Sequence, residues 1–225
     1  MNFDYFNLFG SWNLVIGNSD HMASQISHII YAQEYFEENE LPPEEKEEFI
    51  LGCTFPDIRR IDGNIKRRDT HLRFYPLDLD FENLTPFEAG WKFHLYCDMR
   101  REEILNQYNF YSMKYTEEFC RQPAKMLEDR ILYDRYDNWE KIANYFNDVP
   151  IISNGINVSK ESFELWYSIL ANYIDKKPDN NSIINFFSKQ PDLALTAKDV
   201  VAIVDKLRKN DKVIEALKRV TDEII

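Results

Sequence analysis

Two of the chain's four histidines, His71 and His94, lie close to Asp57 and Asp98 in one stretch: FPDIRRIDGNIKRRDTHLRF and, after a loop, TPFEAGWKFHLYCD. Imidazole nitrogens and carboxylate oxygens are the donors from which zinc and other divalent-metal sites are built. His94 and Asp98 are four positions apart in a segment, Phe87 to Leu105, whose apolar spacing and lack of interior breakers predict a helix. That spacing puts both side chains on one face, one turn apart. Two ligands so placed begin a metal site with their separation set in advance by the helix. Asp57 and His71 would complete it from the loop.

The same stretch inverts the charge balance of the chain. Between Asp57 and Phe74, Arg59, Arg60, Lys66, Arg67, Arg68 and Arg73 face three acids, Asp57, Asp62 and Asp69, although the whole chain carries a formal charge of −12. One reading is ion pairing with carboxylates elsewhere. The other is an anion clamp, because guanidinium forks match phosphate oxygens two at a time.

The elements that must position these residues read as helices throughout. Ile26, Ile29, Ile30, Tyr35 and Phe36 predict an amphipathic helix with a polar far side over 22–38. His28 stands beside its apolar stripe, where a histidine by itself reads as a hydrogen-bonded core residue. A second helix is expected over 44–54, with Pro56 forcing Phe55 out of helical geometry and presenting Asp57 from a turn. An irregular loop follows over 75–84, and Thr85, Pro86 and Glu88 form a helix start for the segment bearing His94. Further helices are expected over 106–119, 124–136, 138–146 (capped by Asp137), 159–174, 182–187 and 197–225, with a break around Pro150, Asn154 and Gly155. Alternating strands are scarce, so the fold class is all-α: a multi-helix bundle with a smaller C-terminal helical region. The expected division is an N-terminal extension over 1–21, a metal-binding helical domain over 22–149 and the C-terminal region over 150–225.

Composition narrows the classes. At 225 residues with 44% hydrophobic content, the chain can bury a large core. The acidic surface argues against broad nucleic-acid binding. No apolar run approaches the roughly 20 residues of a membrane span. Cys53, Cys97 and Cys120 lack metal or disulfide spacing and read as reduced core thiols. With no basic leader in the first twenty positions, a cytoplasmic location is expected.

SHIIYAQ around His28, GCTFPDI around Asp57, RRDTH around His71 and GWKFHLYCD around His94 and Asp98 resemble, in this order, the metal-binding segments of the zinc-dependent phospholipase C family. That family is all-α and is related in architecture to the single-strand-specific nucleases, with a looser likeness to helical HD-type phosphohydrolases. The resemblance covers about residues 22 to 105, with some support to about 150. It implies that Asp57, His71, His94 and Asp98 hold one divalent ion, zinc first, iron or manganese next. It also implies that His28 reaches a neighbouring ion, with Asp98 bridging the two. The chain departs from the family in having no histidine beyond His94 for a third ion and an internal Trp12 where the family uses an N-terminal tryptophan. At most two ions are therefore expected, with Glu102, Glu118, Glu128, Asp129 or water completing the second site. His21 lies outside the matched segments.

The expected function is a metal-dependent hydrolase of phosphoric esters acting on a small phosphate-ester substrate. Asp57 or Asp98 would orient the attacking water, and Arg59, Arg60, Arg67 and Arg68 would bind the phosphoryl oxygens. The rival is a helical interaction protein that keeps the metal as a structural clip, with the C-terminal helices as a homodimer or partner surface.

Overall fold

The computed structural model describes residues 24–114, 116, 121–147, 149–150 and 156–225. The expected N-terminal extension, Trp12, His21, Glu118 and Cys120 lie outside the described residues. Among the described residues the fold is an all-α bundle of ten α-helices without a sheet. They are α1 Gln25–Glu38, α2 Pro43–Thr54, α3 Arg67–Thr70, α4 Pro86–Gln107, α5 Arg121–Leu132, α6 Trp139–Asn147, α7 Lys160–Ile174, α8 Asn180–Ser188, α9 Ala197–Leu207 and α10 Asp211–Glu223. None of them is long and apolar enough to cross a membrane.

The bundle is organised on the crossing of α2 and α4. A Cβ added to Gly52 would lie 1.9 Å from the Phe87 carbonyl oxygen, and one added to Gly90 would lie 2.0 Å from that of Phe49. The two backbones therefore touch, and only glycine fits at either position. Around the crossing, Phe36, Phe49 and Phe93 pack on one side, and Phe55, Phe87 and Trp91 on the other. Because backbone rather than a flexible side chain blocks the space, Gly90→Ala should push the helices apart and cost about 3 kcal/mol or more. Urea denaturation would show this as a lower midpoint; an unchanged midpoint would mean that the crossing is loose.

The capping signal at Thr85 forms as read: Thr85 Oγ1 accepts from Glu88 N and the Glu88 carboxylate accepts from Thr85 N, with Pro86 at the first helical position. Several other expectations are corrected. The first two turns of α1, residues 25–32, are buried on every side, with no polar far face. The two serines at its start are held by α5, whose Asp129 accepts from Ser24 Oγ at 2.6 Å and from both N and Oγ of Ser27 at 3.0 Å. A carboxylate from another helix thus caps the N-terminus of α1, where the helix dipole favours negative charge.

Phe55 is helical, with φ −62° and ψ −43°. Pro56 opens a 3-10 helix over Phe55–Arg60, where its missing N–H costs no hydrogen bond, and Asp57 rides on that tighter turn. Of the helix expected over 106–119, the described part does not continue: α4 ends at Gln107. Asn109 adopts φ 51°, a left-handed stop that asparagine tolerates, and a short 3-10 turn Phe110–Ser112 follows. The segment expected as one helix over 197–225 is split into α9 and α10, because Asn210 caps the second with its side chain on Lys212 N. At the start of α6, Asn138 rather than Asp137 caps, accepting from Lys141 N at 3.3 Å.

The C-terminal helices reach the part of the chain that carries Asp57. Trp166 Nε1 of α7 donates to the Thr54 carbonyl at 3.0 Å, and Tyr167 OH donates to the Leu51 carbonyl at 2.7 Å. Both clasp the end of α2 just before the turn that presents Asp57.

Candidate metal centre

Five side chains from four segments meet under the α2–α4 crossing. His28 comes from α1, Asp57 from the 3-10 turn, His71 from the residue after α3, and His94 and Asp98 from successive turns of α4. His28 and His94 are fully buried, and Asp57, Asp98 and His71 are 5%, 5% and 8% exposed. His28 Nε2 lies 3.4 Å from Asp98 Oδ1, and His94 Nε2 lies 3.5 Å from Asp98 Oδ2. His71 Nε2 is 3.3 Å from His94 Nε2, 3.8 Å from Asp57 Oδ1 and 3.9 Å from Asp98 Oδ2. The His28 and His94 rings stack at 3.9 Å.

Neighbours fix the orientation of each donor. His94 Nδ1 lies 2.8 Å from the Cys53 carbonyl, which can only accept, so Nδ1 carries the proton and Nε2 turns a lone pair into the cluster. Thr70 Oγ1 contacts His71 Nδ1 at 2.8 Å, and Trp91 Nε1 holds the Thr70 carbonyl, also at 2.8 Å. Gln25 Nε2 donates to Asp57 Oδ2 at 2.7 Å, while Arg59 and Arg60 flank Asp57 Oδ1 at 3.6 and 3.7 Å.

Electrostatics makes this a donor set in want of a cation. Burial pushes His28 from 6.5 down to about 3, helped by the Lys125 and Arg101 charges. Burial and the neighbouring His28 take His94 to about 4, and burial with His94 takes His71 well below its ordinary value. All three rings are therefore neutral near pH 7. Burial alone would raise the Asp57 carboxyl, but Arg60 and Arg59, with His71 behind them, hold it well below the usual carboxylate range. Burial raises Asp98, against the pull of His94. Among the described residues, neither ring nitrogen of His28, nor Asp57 Oδ1, makes a hydrogen bond. Buried polar atoms are costly in that state, and neutral imidazoles beside carboxylates fit a divalent ion. His28, His94 and Asp98 each offer a ligand atom within 4.8 Å of the others and could hold a metal ion.

The depressed histidines set a pH dependence for the metal-free chain. Unfolded, they take up protons near 6.5; folded, they stay neutral well below that value. The unfolded state then binds more protons, so their contribution to stability is full above about pH 6.5 and is lost as pH falls toward the folded values. Urea midpoints of the metal-free protein should drop steadily from about pH 7.5 to about pH 5. A flat profile over that window would contradict the burial of these rings.

The remaining candidates are dispersed. Arg67 lines a cleft of about 140 Å³ that opens onto His71 and Asp98, and Glu102 lines it too while accepting from Tyr111 OH at 2.7 Å. The Arg68 side chain is 78% exposed beside Asp69, outside both the cleft and the cluster. Glu128 is taken by Arg101, at 2.8 and 2.6 Å, and by Tyr31 OH at 2.5 Å. Asp129 is taken by Ser24, Ser27 and, at 2.9 Å, Tyr173 OH. Both acids tie helices together and leave the second-ion role expected of them to others.

Three contributors went unnamed in the sequence reading: Gln25, Lys125 and the Cys53 carbonyl. Gln25 precedes His28 by three positions on one helix face, a spacing that could have suggested it. Lys125 is 1% exposed in α5, and burial with the nearby Arg60 takes its ammonium from 10.5 down to about 7. A backbone carbonyl carries no sequence signal. Compared with family models, curated proteins and solved structures, the chain matches none.

Proposed function

We propose that this chain is a metal-dependent hydrolase of phosphoric esters, of the kind the resemblance to zinc-dependent phospholipases C and the related nucleases implies. The observation that carries the reading is the meeting of three neutral imidazoles and two carboxylates beneath a cleft with arginine in its wall. Arg67 and Arg73 line that cleft together with His71, Asp98, Glu102 and Glu103, so a phosphoryl group entering it would find two guanidinium groups beside the donor cluster, among carboxylates that a bound cation would offset. His28, Asp57, His71, His94 and Asp98 would hold the ion, zinc first by their chemistry, iron or manganese next. A bound divalent ion supplies Lewis acidity that brings the pKa of water close to neutrality.

The chain's own groups account for the rest. Asp98, at the cleft floor, is placed to accept a hydrogen bond from the attacking water and so aim it. Asp57, held by Gln25, Arg59 and Arg60, keeps its charge and its direction toward His71. In this reading Arg59 and Arg60 steady Asp57, and Arg67 with Arg73 meets those oxygens of the substrate that face the cleft. The Cys53 carbonyl keeps His94 in the tautomer that donates a lone pair. Burial keeps bulk water from competing with these interactions.

Elemental mass spectrometry on protein purified without chelator or histidine tag, beside His94→Ala, tests the premise. Zinc, iron or manganese in the wild type, lost in the variant, together with turnover of bis(4-nitrophenyl) phosphate or 4-nitrophenyl phosphate, is the expected result. Metal without hydrolysis of either ester would favour a structural clip in an interaction protein. No bound metal, even after each ion is added back, would sink the proposal.

A further inference from the structure

Beside Asp57, and sharing no residue with the Arg67 cleft, α1, α5, α7 and α8 line a second, partly open chamber of about 20 Å³, large enough for one oxygen atom or one water. Gln25, Asp57, Arg60, Gln122 and Lys125 are among its polar lining, and Trp166 and Phe187 are part of its apolar wall. Lys125 is 1% exposed, and its ammonium nitrogen makes no hydrogen bond among the described residues. Gln25 Oε1, in the same lining, makes none either. A buried amine without an acceptor is costly, and a fold keeps one only where something else repays it. Lys125 and Arg60 share one carboxylate neighbour, Asp57, in this lining, and with its pKa brought down to about 7 the Lys125 amine is only partly protonated near neutrality. The chamber's wall is also a wall of the donor cluster, because Asp57 belongs to both. The Lys125 charge acts on both His28 and Asp98, so it lies within electrostatic range of the cluster.

We infer that Lys125 is a further substrate-binding residue: with Arg60 it receives one oxygen of a phosphoryl oxyanion held at the His/Asp cluster, in the chamber that shares no residue with the Arg67 cleft. This rests on the hydrolase reading for its purpose, but the chamber and its unsatisfied amine stand apart from it. No bond is made or broken by Lys125; it binds and orients the oxyanion. Three ammonium protons, aimed from a fixed helix, suit an oxygen bearing partial negative charge better than a neutral water.

The test uses inorganic phosphate titrated calorimetrically into the full chain, metal-loaded and metal-free, for wild type, Lys125→Met and Lys125→Gln. The expected result is phosphate binding weakened roughly tenfold or more in both variants. Metal content should be unchanged, and the Met variant should melt no lower than wild type, because an apolar chain replaces an unsatisfied amine. A lysine with a purely structural role would give the reverse, lower melting with phosphate affinity intact, and that would overturn the inference. Wild type binding no phosphate in either state, or equal affinity in all three proteins, would leave the chamber with a single water and overturn it as well. If the Met variant does not fold, the Gln variant, which keeps polar hydrogens and loses the charge, decides alone. A wild type without metal would defeat the hydrolase reading. Phosphate binding by that metal-free protein, lost in Lys125→Gln, would still uphold the Lys125 site.

Discussion

Asp98→Asn is expected to lower metal affinity by at least about 100-fold, a larger loss than those seen when a partner of a metal ligand is removed. Asp98 is central to the cluster: one oxygen lies 3.4 Å from His28 Nε2, and the other lies 3.5 Å from His94 Nε2 and 3.9 Å from His71 Nε2. Asparagine matches it in shape but lacks the charge, and offers one acceptor in place of two. Its amide nitrogen would also meet a neighbouring imidazole with hydrogens where a cation is wanted. The metal-free variant should melt at least as high as metal-free wild type, because burial already disfavours the charged form of Asp98. The order should reverse once metal is added, since only wild type gains the ion. Elemental mass spectrometry and paired melting curves read both effects, and hydrolysis of bis(4-nitrophenyl) phosphate should fall with the metal. Full metal content in the variant would refute the ligand assignment.

Chelation of the wild-type protein should produce the largest change in stability. An ion that binds the folded chain at about 1,000 times its dissociation constant adds roughly 4 kcal/mol, provided the unfolded chain does not compete for it. For a chain of this size, that corresponds to a fall of roughly 8–16 °C in melting temperature when the metal is removed. The structure gives a reason for a drop of this order. Without an ion the fold buries Asp57 and Asp98 among three neutral imidazoles, two of them stacked at 3.9 Å. Melting followed by tryptophan fluorescence, with and without chelator and then after zinc is restored, measures the shift. Identical curves would mean that the cluster is satisfied without a cation.

The residues of the candidate metal centre were legible from sequence to different degrees. His94 and Asp98 stand four positions apart on a helix whose start is written in Thr85, Pro86 and Glu88, so local rules carry that pair almost unaided. His71 and Asp57 were legible as donor types in a loop, but the tight 3-10 turn that aims Asp57 was read as a simple break at Pro56. His28, by its own spacing, reads as a core residue; only a resemblance marked it as a ligand, and the fold brings it to Asp98. Arg68 and Arg67 are adjacent and chemically alike, yet one faces solvent and the other the cleft. Side-chain direction in a four-residue helix depends on what packs against it, and composition is silent on that.

What the sequence determined by itself is the class of structure and the kind of chemistry: helical periodicity throughout, the cap at Thr85, and a set of histidines and aspartates suited to a divalent ion. Only the tertiary structure decided which helices touch. Gly52 and Gly90 are unremarkable until α2 and α4 cross on them. Asp129 reads as a spare ligand until it takes the Ser27 N–H of α1 from 102 positions away, and Lys125 gives no signal until α5 buries it. Periodicity records which face of a helix is buried, because burial acts on each residue independently. It does not record the partner, because hydrogen bonds and close backbone contacts between distant segments exist only once the chain has folded.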